Sequence, residues 1–346
     1  MLTSLNYKFG QLRLTSRIFM RLVPHYLYCR VISNGFRNFL RIYTPSSAVL
    51  GLTYKCQCKC VHCSAGHYKK EVKNELATKE WFRILDEIYD LGVPRINLSG
   101  GEALLREDIF EIIKYASKKF VVILESNGQL LTEDRINYLK KANVSSVAVS
   151  IDSYDPSVHD NLRNLKGCFQ SAIGGISNVV KRKIPCILST YITSQRANRR
   201  NIENIMALAK QLGVLAVRIM PPRPVGSFSC HINSLLSIEK EKEILQLIDP
   251  YRAYFKGMPA PKQCGIFHKA TFYVSPYAEI QLCPYLPLSF GNIREQSLSE
   301  VLERMWNHPI FKVKDRSCLI LNRDFRNKYI LQNSRNTADR LLPIEV

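Results

Sequence analysis

The sequence has no long apolar run and no acidic residue near its beginning. Uninterrupted stretches of about eighteen apolar residues are missing, which excludes a predicted membrane-spanning helix. The order of short basic segment, apolar block and small-residue cleavage site that marks a secretory signal is also missing. The sequence therefore predicts an unsecreted protein of the cytoplasm, either free or peripheral to a membrane, whose cysteines stay reduced.

The chain does have enough apolar residues for a large folded core. Of its 346 residues, 46% are apolar and 23% are charged, which predicts one large core and a smaller module. It also has eleven cysteines, four of them between positions 56 and 63. Such close clustering in a reducing compartment indicates metal binding rather than a disulfide framework.

The first 70 residues are strongly basic. They hold eleven Lys or Arg and no Asp or Glu, so more than half of the formal net charge of +20 lies there. A second apolar and basic stretch runs from 26 to 43. Arginines recur every four residues beside apolar positions, which predicts an amphipathic helix that ends at Pro24: Arg13, Arg17 and Arg21.

Four interpretations of this basic region stay open. It packs on the rest of the protein with its arginines in solvent, lies on an anionic membrane surface, attracts an acidic substrate or peptide, or contacts RNA. RNA is the least favoured, and nucleic acid is not an expected partner, because no motif of aromatic residues between basic ones is present. An acid-free, arginine-rich start is also similar to a mitochondrial transit peptide.

Cys56, Cys60 and Cys63 form a C-x3-C-x2-C motif. Three thiolates on one short loop can hold a four-iron cluster by three of its irons, which leaves one iron free to bind a small molecule and transfer an electron. A zinc site is the alternative, since Cys58 makes four thiols available. Structural zinc usually takes its ligands from two separate C-x2-C pairs, however, and no second pair exists. Cys58 is interpreted as a bystander thiol.

A second motif, Ser99-Gly100-Gly101-Glu102, follows an apolar run downstream. Together the two motifs resemble those of the radical S-adenosylmethionine (SAM) superfamily. The resemblance implies that the three cysteines hold a 4Fe–4S cluster whose fourth iron binds the amino and carboxylate groups of SAM. It also implies that His62 lies near the adenine of SAM, and that Gly100, Gly101 and Glu102 lie at its methionine amino group.

Beyond position 47, strand-like segments alternate with segments of helical periodicity. Thr78 is a predicted N-cap for the helix that carries Trp81. Six strands are predicted at 48–53, 95–99, 120–125, 145–151, 186–192 and 214–220. Periodicity alone leaves a doubly wound parallel sheet open, whereas the resemblance favours an α/β fold built on an open, partial (β/α)6 barrel.

The resemblance also assigns residues at the carboxyl ends of the strands to SAM. Ser126 and Asn127 follow the third strand, and Ser189 lies in the fifth. Ser150 and Asp152 end the fourth strand, where the family commonly binds the ribose. Parallel strands bring these positions to one edge of the sheet.

Arg163 lies in a segment similar to an H-D-x-x-R-G stretch of the family, with Asn164 in place of the glycine. Its guanidinium matches the carboxylate of SAM. A solvent-exposed arginine at a helix end is the alternative. Gly226 follows a proline-rich loop that is predicted to close one rim of the pocket.

The last third of the chain has a second set of cysteines, Cys264, Cys283 and Cys318. The β-like run between the first two resembles the start of a SPASM or twitch extension, a β-hairpin and helix that hold auxiliary iron–sulfur clusters. Ala278 stands where the hairpin usually has glycine. These cysteines support at most one auxiliary 4Fe–4S cluster, and the alternative is a substrate-binding scaffold with ordinary buried thiols. Four further cysteines are interpreted as core or surface thiols: Cys29, Cys168, Cys186 and Cys230.

Five segments are predicted: a basic helical extension (1–47), a radical SAM partial barrel (48–230), a linking helix (231–259), a SPASM- or twitch-like module (260–320) and a tail (321–346). The resemblance implies an enzyme that cleaves SAM reductively to a 5′-deoxyadenosyl radical, with an external electron donor such as flavodoxin or ferredoxin. The radical abstracts hydrogen from a substrate to oxidise, crosslink or epimerise it, in peptide or natural-product maturation. Modification of a small molecule, cofactor precursor or lipid is the alternative, and a non-catalytic iron–sulfur electron carrier is an alternative of another class.

Overall fold

The structure, a computed structural model, describes residues 2–40, 44–66, 74–256, 264–312, 317–331 and 344–345. Within them the strands are β1 Ser47–Thr53, β2 Arg95–Gly100, β3 Val121–Ser126, β4 Ser146–Ser150, β5 Cys186–Tyr191, β6 Ala216–Met220, β7 Ala253–Phe255, β8 Thr271–Val274, β9 Glu279–Gln281, β10 Leu288–Asn292 and β11 Ile344–Glu345. The helices are α1 Leu2–Leu22, α2 Tyr28–Phe39, α3 Thr78–Asp90, α4 Ile109–Ala116, α5 Glu133–Lys141, α6 Pro156–Arg163, α7 Cys168–Lys181, α8 Arg199–Gln211, α9 Ile238–Leu247, α10 Leu298–Asn307 and α11 Arg323–Phe325.

All of these strands belong to one open sheet. Its order is β11-β10-β9-β8-β1-β2-β3-β4-β5-β6-β7, so β11 and β7 are its two edges. Strands β1 to β7 pair in parallel with their neighbours in sequence, and β8 returns to pair in parallel with β1. With helices between successive strands, this arrangement confirms the predicted α/β partial barrel.

All six predicted strands are present, with ends displaced by two residues at most. The segment 231–259, predicted as a linking helix, contains α9 but also β7, which extends the parallel sheet beyond β6. A strand as short as Ala253–Phe255 has too little pattern to be recognised from sequence. The division of the chain into five segments stays a prediction.

Alternate residues of each strand face opposite sides of the sheet, because side chains in a strand have a period of two. Val122 and Leu124 of β3 belong to the main core, together with Trp81 and Ile84 of α3. Intervening residues form a second, separate apolar cluster with the N-terminal helices: Leu22, Leu27, Val121, Ile123, Ala148 and Ile187. The second cluster fills the barrel interior at the end where the strands begin.

The N-terminal helices therefore close one end of the barrel. Gln11 Nε2 donates to the carbonyl oxygens of Pro250 at 2.9 Å and Ala253 at 2.8 Å, and Arg17 Nη2 donates to that of Leu215 at 3.0 Å. One face of this extension thus packs on the barrel, as the first of the four interpretations expects, but Arg17 belongs to the packed face and is not free in solvent. Among the described residues, no helix is long and apolar enough to cross a bilayer.

The predicted N-cap at Thr78 is wrong by one position. Helix α3 begins at Thr78, and its N-cap is Ala77, whose backbone N–H donates to Glu80 Oε2 at 2.8 Å. The Thr78 hydroxyl instead donates to Asp108 Oδ2 at 2.6 Å. Thr78 thus ties the start of α3 to the start of α4, which the local pattern cannot show.

Candidate active site

The cysteine motif lies on the loop that follows β1, and the end of β2 packs directly against this loop. Gly101 donates its N–H to the carbonyl oxygen of Thr53 at 2.6 Å, and Glu102 donates to that of Lys55 at 2.9 Å. A Cβ at Gly100 or Gly101 would lie 2.2 Å from the Thr53 or Lys55 carbonyl oxygen. Both glycines are therefore required by the approach of two backbones, independently of any contact with a cofactor.

Five sulfurs meet at this loop. Cys58 is fully buried, and its thiol contacts the sulfurs of Cys168, Cys56 and Cys60, while Cys63 packs at the edge of the same group. The interpretation of Cys168 as a thiol unrelated to the motif therefore misses this contact. Spacing gives no signal for it, because Cys168 comes from the first turn of α7, far away in sequence.

Two N–H donors point at sulfurs of the motif. Asn127 Nδ2 lies 3.7 Å from Cys56 Sγ, and Arg163 Nη1 lies 3.7 Å from Cys60 Sγ. The hydrogen bond with Cys58 and the positive charge of Arg163 lower the pKa of Cys60 to about 7. Donors and positive charge favour thiolates, the form of cysteine that binds metal.

Asp152 and Arg163 form a buried ion pair beside the cysteines. Arg163 Nε lies 2.6 Å from Asp152 Oδ2, and His62 Nε2 lies 3.5 Å from the same oxygen. The backbone N–H of Tyr191 donates to Asp152 Oδ1 at 3.0 Å. Burial alone would raise the pKa of Asp152, but the charge and hydrogen bond of Arg163 together with the neighbouring His62 and His159 outweigh burial and hold that pKa below its ordinary value.

The alternative of a solvent-exposed Arg163 is wrong, since this residue is only 8% exposed. Its predicted contact with the SAM carboxylate, and that of Asp152 with the ribose, remain predictions, because in the structure these two side chains pair with each other. Asn164 has φ 50° at the end of α6. Asparagine tolerates this left-handed conformation, so it fills the role of the glycine in the family segment.

His62 stacks on the ring of Tyr191, with centroids 4.1 Å apart and planes inclined by 16°. Burial lowers the pKa of His62 to about 4, so the ring is neutral near pH 7. Its Nδ1 atom is buried and has no hydrogen-bond partner among the described residues. A neutral ring with an unsatisfied nitrogen, next to another aromatic face, suits a purine as its partner.

Glu102 is fully buried, and its carboxylate accepts hydrogen bonds from the end of β3 and from the turn that follows Glu102 itself. It accepts from Ser126 Oγ at 3.1 Å, from the Asn127 N–H at 2.8 Å and from the Leu104 N–H at 3.2 Å. Burial raises the pKa of Glu102 to about 7 against these hydrogen bonds. The structure thus brings Glu102, Ser126 and Asn127 together, while their predicted role in binding SAM stays a prediction.

Ser150 and Ser189 are register partners on β4 and β5. The Ser189 hydroxyl accepts from Arg218 Nε at 2.9 Å and is 1% exposed, so it is already engaged. Ser150 is half-buried at the end of its strand. Both remain predicted SAM contacts, and Ser150 has the more accessible position.

The residues at this end of the barrel fit an iron–sulfur cluster with a purine-containing ligand. The donor set is three thiols with N–H groups aimed at two of them, and His62 supplies a buried, unsatisfied nitrogen. Among the described residues, no group of three His, Cys, Asp or Glu side chains has the arrangement of a single-metal site.

Comparisons with known proteins agree with this geometry. Residues 50–209 match the model of the family described as Radical SAM superfamily. The AdoMet-dependent heme synthase of Methanosarcina barkeri is 31% identical over 285 residues, which cover 73% of this chain and 80% of that protein. The chain belongs to the radical SAM superfamily. It is an enzyme of that class, and family membership implies a 4Fe–4S cluster and SAM as cofactors.

Further relatives and solved structures are similar to this chain. The PqqA peptide cyclase of Rhizobium meliloti is 28% identical over 77% of this chain and 75% of its own length. The structure of Streptococcus suis SuiB bound to S-adenosylmethionine has a TM-score of 0.67 at 14% identity, over 84% of this chain and 77% of that chain. Native anSMEcpe with bound AdoMet and Cp18Cys peptide has a TM-score of 0.59 at 17% identity, over 80% and 84%. At 14% and 17% identity, these two solved structures show a shared fold alone.

The C-terminal cysteines of this radical SAM chain also meet. The Cys264 and Cys318 thiols are hydrogen-bonded, and Cys283 lies close enough to Cys318 for their charges to interact. The hydrogen bond with Cys264 and the charge of Arg223 lower the pKa of Cys318 to about 6, whereas burial raises the pKa of Cys283 to about 12. Cys264 and Cys318 are therefore in contact, with Cys283 nearby, while their predicted role as ligands of an auxiliary cluster stays a prediction.

The hairpin of this region follows the prediction, including its unusual turn. Strands β8 and β9 are antiparallel, and Ala278 between them has φ 71°. This backbone conformation is one that glycine adopts freely and alanine does not. Arg304 of α10 donates through Nε to the carbonyl oxygen of Phe290 in β10 at 2.9 Å, which fixes the helix against the sheet.

The loop after β6 lies on the cysteine motif, which agrees with the prediction that it closes one rim. The Ser227 N–H donates to the carbonyl oxygen of Cys63 at 2.9 Å. Gly226 has φ 63°, and a Cβ there would lie 2.1 Å from the same oxygen. Glycine is required at this position because the loop backbone touches the backbone of the motif.

Proposed function

We propose that this radical SAM enzyme holds its SAM-binding cluster on Cys56, Cys60 and Cys63 and modifies a peptide or small molecule by hydrogen abstraction. The carrying observation is the set of three thiols on one loop with N–H donors at Cys56 and Cys60. When bound, the cluster and SAM supply a 5′-deoxyadenosyl radical, which takes a hydrogen atom from a C–H bond of the substrate.

The chain's own residues have positioning roles in this proposal. Asn127 and Arg163 stabilise the thiolates, and Asp152 fixes Arg163 and His62 in turn. Glu102 accepts hydrogen bonds from Ser126 and Asn127 and so holds the end of β3 against the cysteine loop. The loop at Gly226 and the N-terminal helices limit access of water from both ends of the barrel.

The test is anaerobic reconstitution with iron and sulfide, followed by assay of 5′-deoxyadenosine from SAM and a strong reductant. We expect 5′-deoxyadenosine in the reconstituted protein and none in the protein without iron. If the reconstituted protein binds iron but forms none, it is an iron–sulfur electron carrier instead. The electron is proposed to come from flavodoxin or ferredoxin, which is tested by replacing the chemical reductant with each.

A peptide substrate is the first choice for the class of molecule that is modified. It is supported by the relatives named as peptide cyclases and by SuiB, whose fold is shared and which was solved bound to the precursor peptide SuiA. The relatives named as heme synthases support a cofactor precursor as the second candidate.

Deuterium transfer separates the two classes. The reconstituted enzyme is incubated with the peptide fraction and, separately, with the small-molecule fraction of perdeuterated cell extract. Deuterium in 5′-deoxyadenosine, measured by mass spectrometry, identifies the fraction that contains the substrate. Deuterium from the small-molecule fraction alone contradicts the peptide assignment.

We further propose that Cys264, Cys283 and Cys318 hold one auxiliary cluster. The Cys264 and Cys318 thiols are hydrogen-bonded to each other, and Arg223 supplies a positive charge beside Cys318. The reconstituted protein should then contain about eight iron atoms per chain, against about four for a single cluster. A content near four that is unchanged by Cys283→Ala would leave this region as a scaffold with ordinary thiols.

The outer face of the N-terminal helices is proposed to lie on an anionic membrane surface, which places the enzyme in the cytoplasm at a membrane. Ile32, Phe36 and Phe39 follow one face of α2 at helical spacing and are 63%, 60% and 81% exposed. Phe9 and Met20 of α1 are 52% and 65% exposed. Basic residues flank these positions and no acidic residue occurs before Glu71, so the charge suits anionic lipid.

Vesicle flotation tests this surface. The full chain should float with vesicles that contain phosphatidylserine, and a variant with both Phe36→Ser and Phe39→Ser should float markedly less. Tyr138→Ser is the matched control, because Tyr138 is 54% exposed on α5, away from this face. Equal flotation of all three proteins, or of neutral and anionic vesicles, would contradict membrane binding through α2.

A further inference from the structure

The barrel interior contains a polar layer between its apolar closed end and its cysteine-bearing end. Glu125 of β3 is the centre of this layer: it accepts from Arg218 Nη1 at 2.9 Å and from Asn97 Nδ2 at 3.0 Å through Oε1. Arg218 also donates through Nε to Ser189. These residues occupy inward positions of β2, β3, β5 and β6, in the same alternation that places Ile123 and Ile187 inward one layer below.

Positive charge exceeds negative charge in this layer. Lys256 Nζ lies 3.9 Å from Glu125 Oε1, and Arg218 shares the same carboxylate. Arg95, at the start of β2, interacts with Arg218 and Tyr254, and no carboxylate forms an ion pair with it among the described residues. Arg218 and Lys256 therefore share one carboxylate, and Arg95 adds a third positive charge that interacts with Arg218.

The polar layer can be reached from solvent. The side chains of Lys256 and Glu125 are 41% and 22% exposed, and Arg95 is exposed at the start of β2. An anion from solution can therefore reach cations that lack a full set of counter-charges.

The layer continues to both cysteine sites. Tyr285 interacts with Arg218 and Glu125 on one side and with Cys283 and Arg223 on the other. Tyr191, which stacks on His62, interacts with Tyr285 and Arg223. The polar layer is thus linked electrostatically to residues of both cysteine sites.

We propose that the polar layer is a substrate subsite for a carboxylate group, with Lys256 and Arg95 as its anchors and Glu125 as the built-in anion that the substrate partly replaces. The proposal rests on the proposed function, because it assigns the substrate of that same site to carboxylate-bearing molecules. Guanidinium and ammonium groups without a full set of counter-charges are suited to carboxylate. Asn97 and Ser189 fix Glu125 and Arg218, so the geometry is prepared before the ligand binds.

The proposal predicts opposite effects on carboxylate binding for two substitutions in the same layer. Lys256→Gln removes an anchor and should weaken carboxylate binding by about tenfold. Glu125→Gln keeps an oxygen acceptor for Arg218 but removes the competing negative charge, so it should strengthen binding severalfold. A purely structural role for these residues would weaken binding in both variants.

The experiment is calorimetry on the anaerobically reconstituted full chain. The small-molecule arm compares glutarate with its diamide, and the peptide arm compares acetyl-tetraglutamate with acetyl-tetraglutamine. We expect one carboxylate probe to bind and its amide not to bind, and the arm that binds distinguishes a small acid from an acidic peptide. Lys210→Gln, an exposed lysine of α8, is the matched control and should leave binding unchanged.

Equal affinity for acids and amides, or equal losses in Lys256→Gln and Glu125→Gln, would overturn the proposal. Formation of 5′-deoxyadenosine from SAM without substrate is measured on the same samples. If 5′-deoxyadenosine forms while no carboxylate probe binds, the substrate assignment fails and the radical SAM function stands. If it does not form in the wild type, the function itself has failed.

Discussion

The two cysteine trios of the chain are held in different ways. Cys56, Cys60 and Cys63 come from a single loop, whereas Cys264, Cys283 and Cys318 come from three separate segments of the C-terminal region. The first trio is backed by the buried pair of Asp152 and Arg163. The second has Arg223 beside it, and no carboxylate forms an ion pair with this arginine in the described part of the chain.

The comparison shows that cysteine ligands can be brought together either by their spacing in one loop or by the tertiary structure. Local spacing organises the first trio, so the amino-acid sequence alone is enough to recognise it. The second trio depends on the hairpin of β8 and β9 and on the segment at Cys318, so its members have no fixed spacing. Substitution of one cysteine in each trio should therefore have different effects on SAM cleavage and on iron content.

The largest effect is expected from loss of a ligand in the first trio. Cys60→Ala should reduce 5′-deoxyadenosine formation to background, because a cluster held by two thiolates is not retained. Cys283→Ala should leave this uncoupled SAM cleavage in place and lower the iron content by about four atoms per chain. Iron analysis and the 5′-deoxyadenosine assay on both variants measure the difference. Loss of SAM cleavage in Cys283→Ala with intact iron would remove the distinction between the two sites.

The free energy of unfolding should also differ between the two sites when the charged residues next to each cysteine trio are replaced. Asp152→Asn leaves Arg163 as an unpaired buried charge and should cost about 3 to 5 kcal/mol of unfolding free energy. Arg223→Met removes hydrogen bonds but leaves no carboxylate unpaired, and should cost about 1 kcal/mol. Urea unfolding of the cluster-free proteins measures both values. Glu203→Gln, which breaks an exposed pair with Arg199, is the control and should change the free energy by less than about 0.5 kcal/mol.

The free energy of unfolding should depend on pH through Glu102, next to the first cysteine site. Its pKa rises from 4.5 in the unfolded chain to about 7 in the folded protein. Folding is thus favoured by protonation: the contribution is complete below pH 4.5 and is lost as pH rises to about 7, by about 3 kcal/mol in total. Glu102→Gln should remove this slope from the urea stability of the cluster-free protein between those pH values. An unchanged slope would show that Glu102 is ionised at ordinary pKa.

The smallest effect is expected in the hairpin of the second site. Ala278 has φ 71°, so Ala278→Gly relieves backbone strain of about 1 kcal/mol and loses part of this gain to the greater freedom of glycine in the unfolded chain. A net stabilisation of about 0.5 kcal/mol should appear in urea unfolding. Destabilisation would mean that the buried Cβ of Ala278 contributes more to packing than the turn costs.

Much of the barrel could be predicted because its strands are apolar and its turns carry glycine or cap residues. The first cysteine site could be predicted because its residues are local or follow strands in order. Cys168 could not, since its contact with Cys58 depends on how α7 packs. Glu125 and Arg218 gave a weak signal as charged residues inside apolar strands, but only the barrel shows that their side chains meet. The strand β7 was too short to show a pattern.

Strand β1 is completed only by residues made much later. It pairs with β2 on one side and with β8 on the other, and Ser46, just before it, bonds to Ala270, which is 224 positions further along the chain. During synthesis, the strand that leads into the cysteine loop therefore keeps an unpaired edge until the C-terminal region leaves the ribosome. Iron delivered before that moment would meet a loop whose supporting sheet still lacks β8.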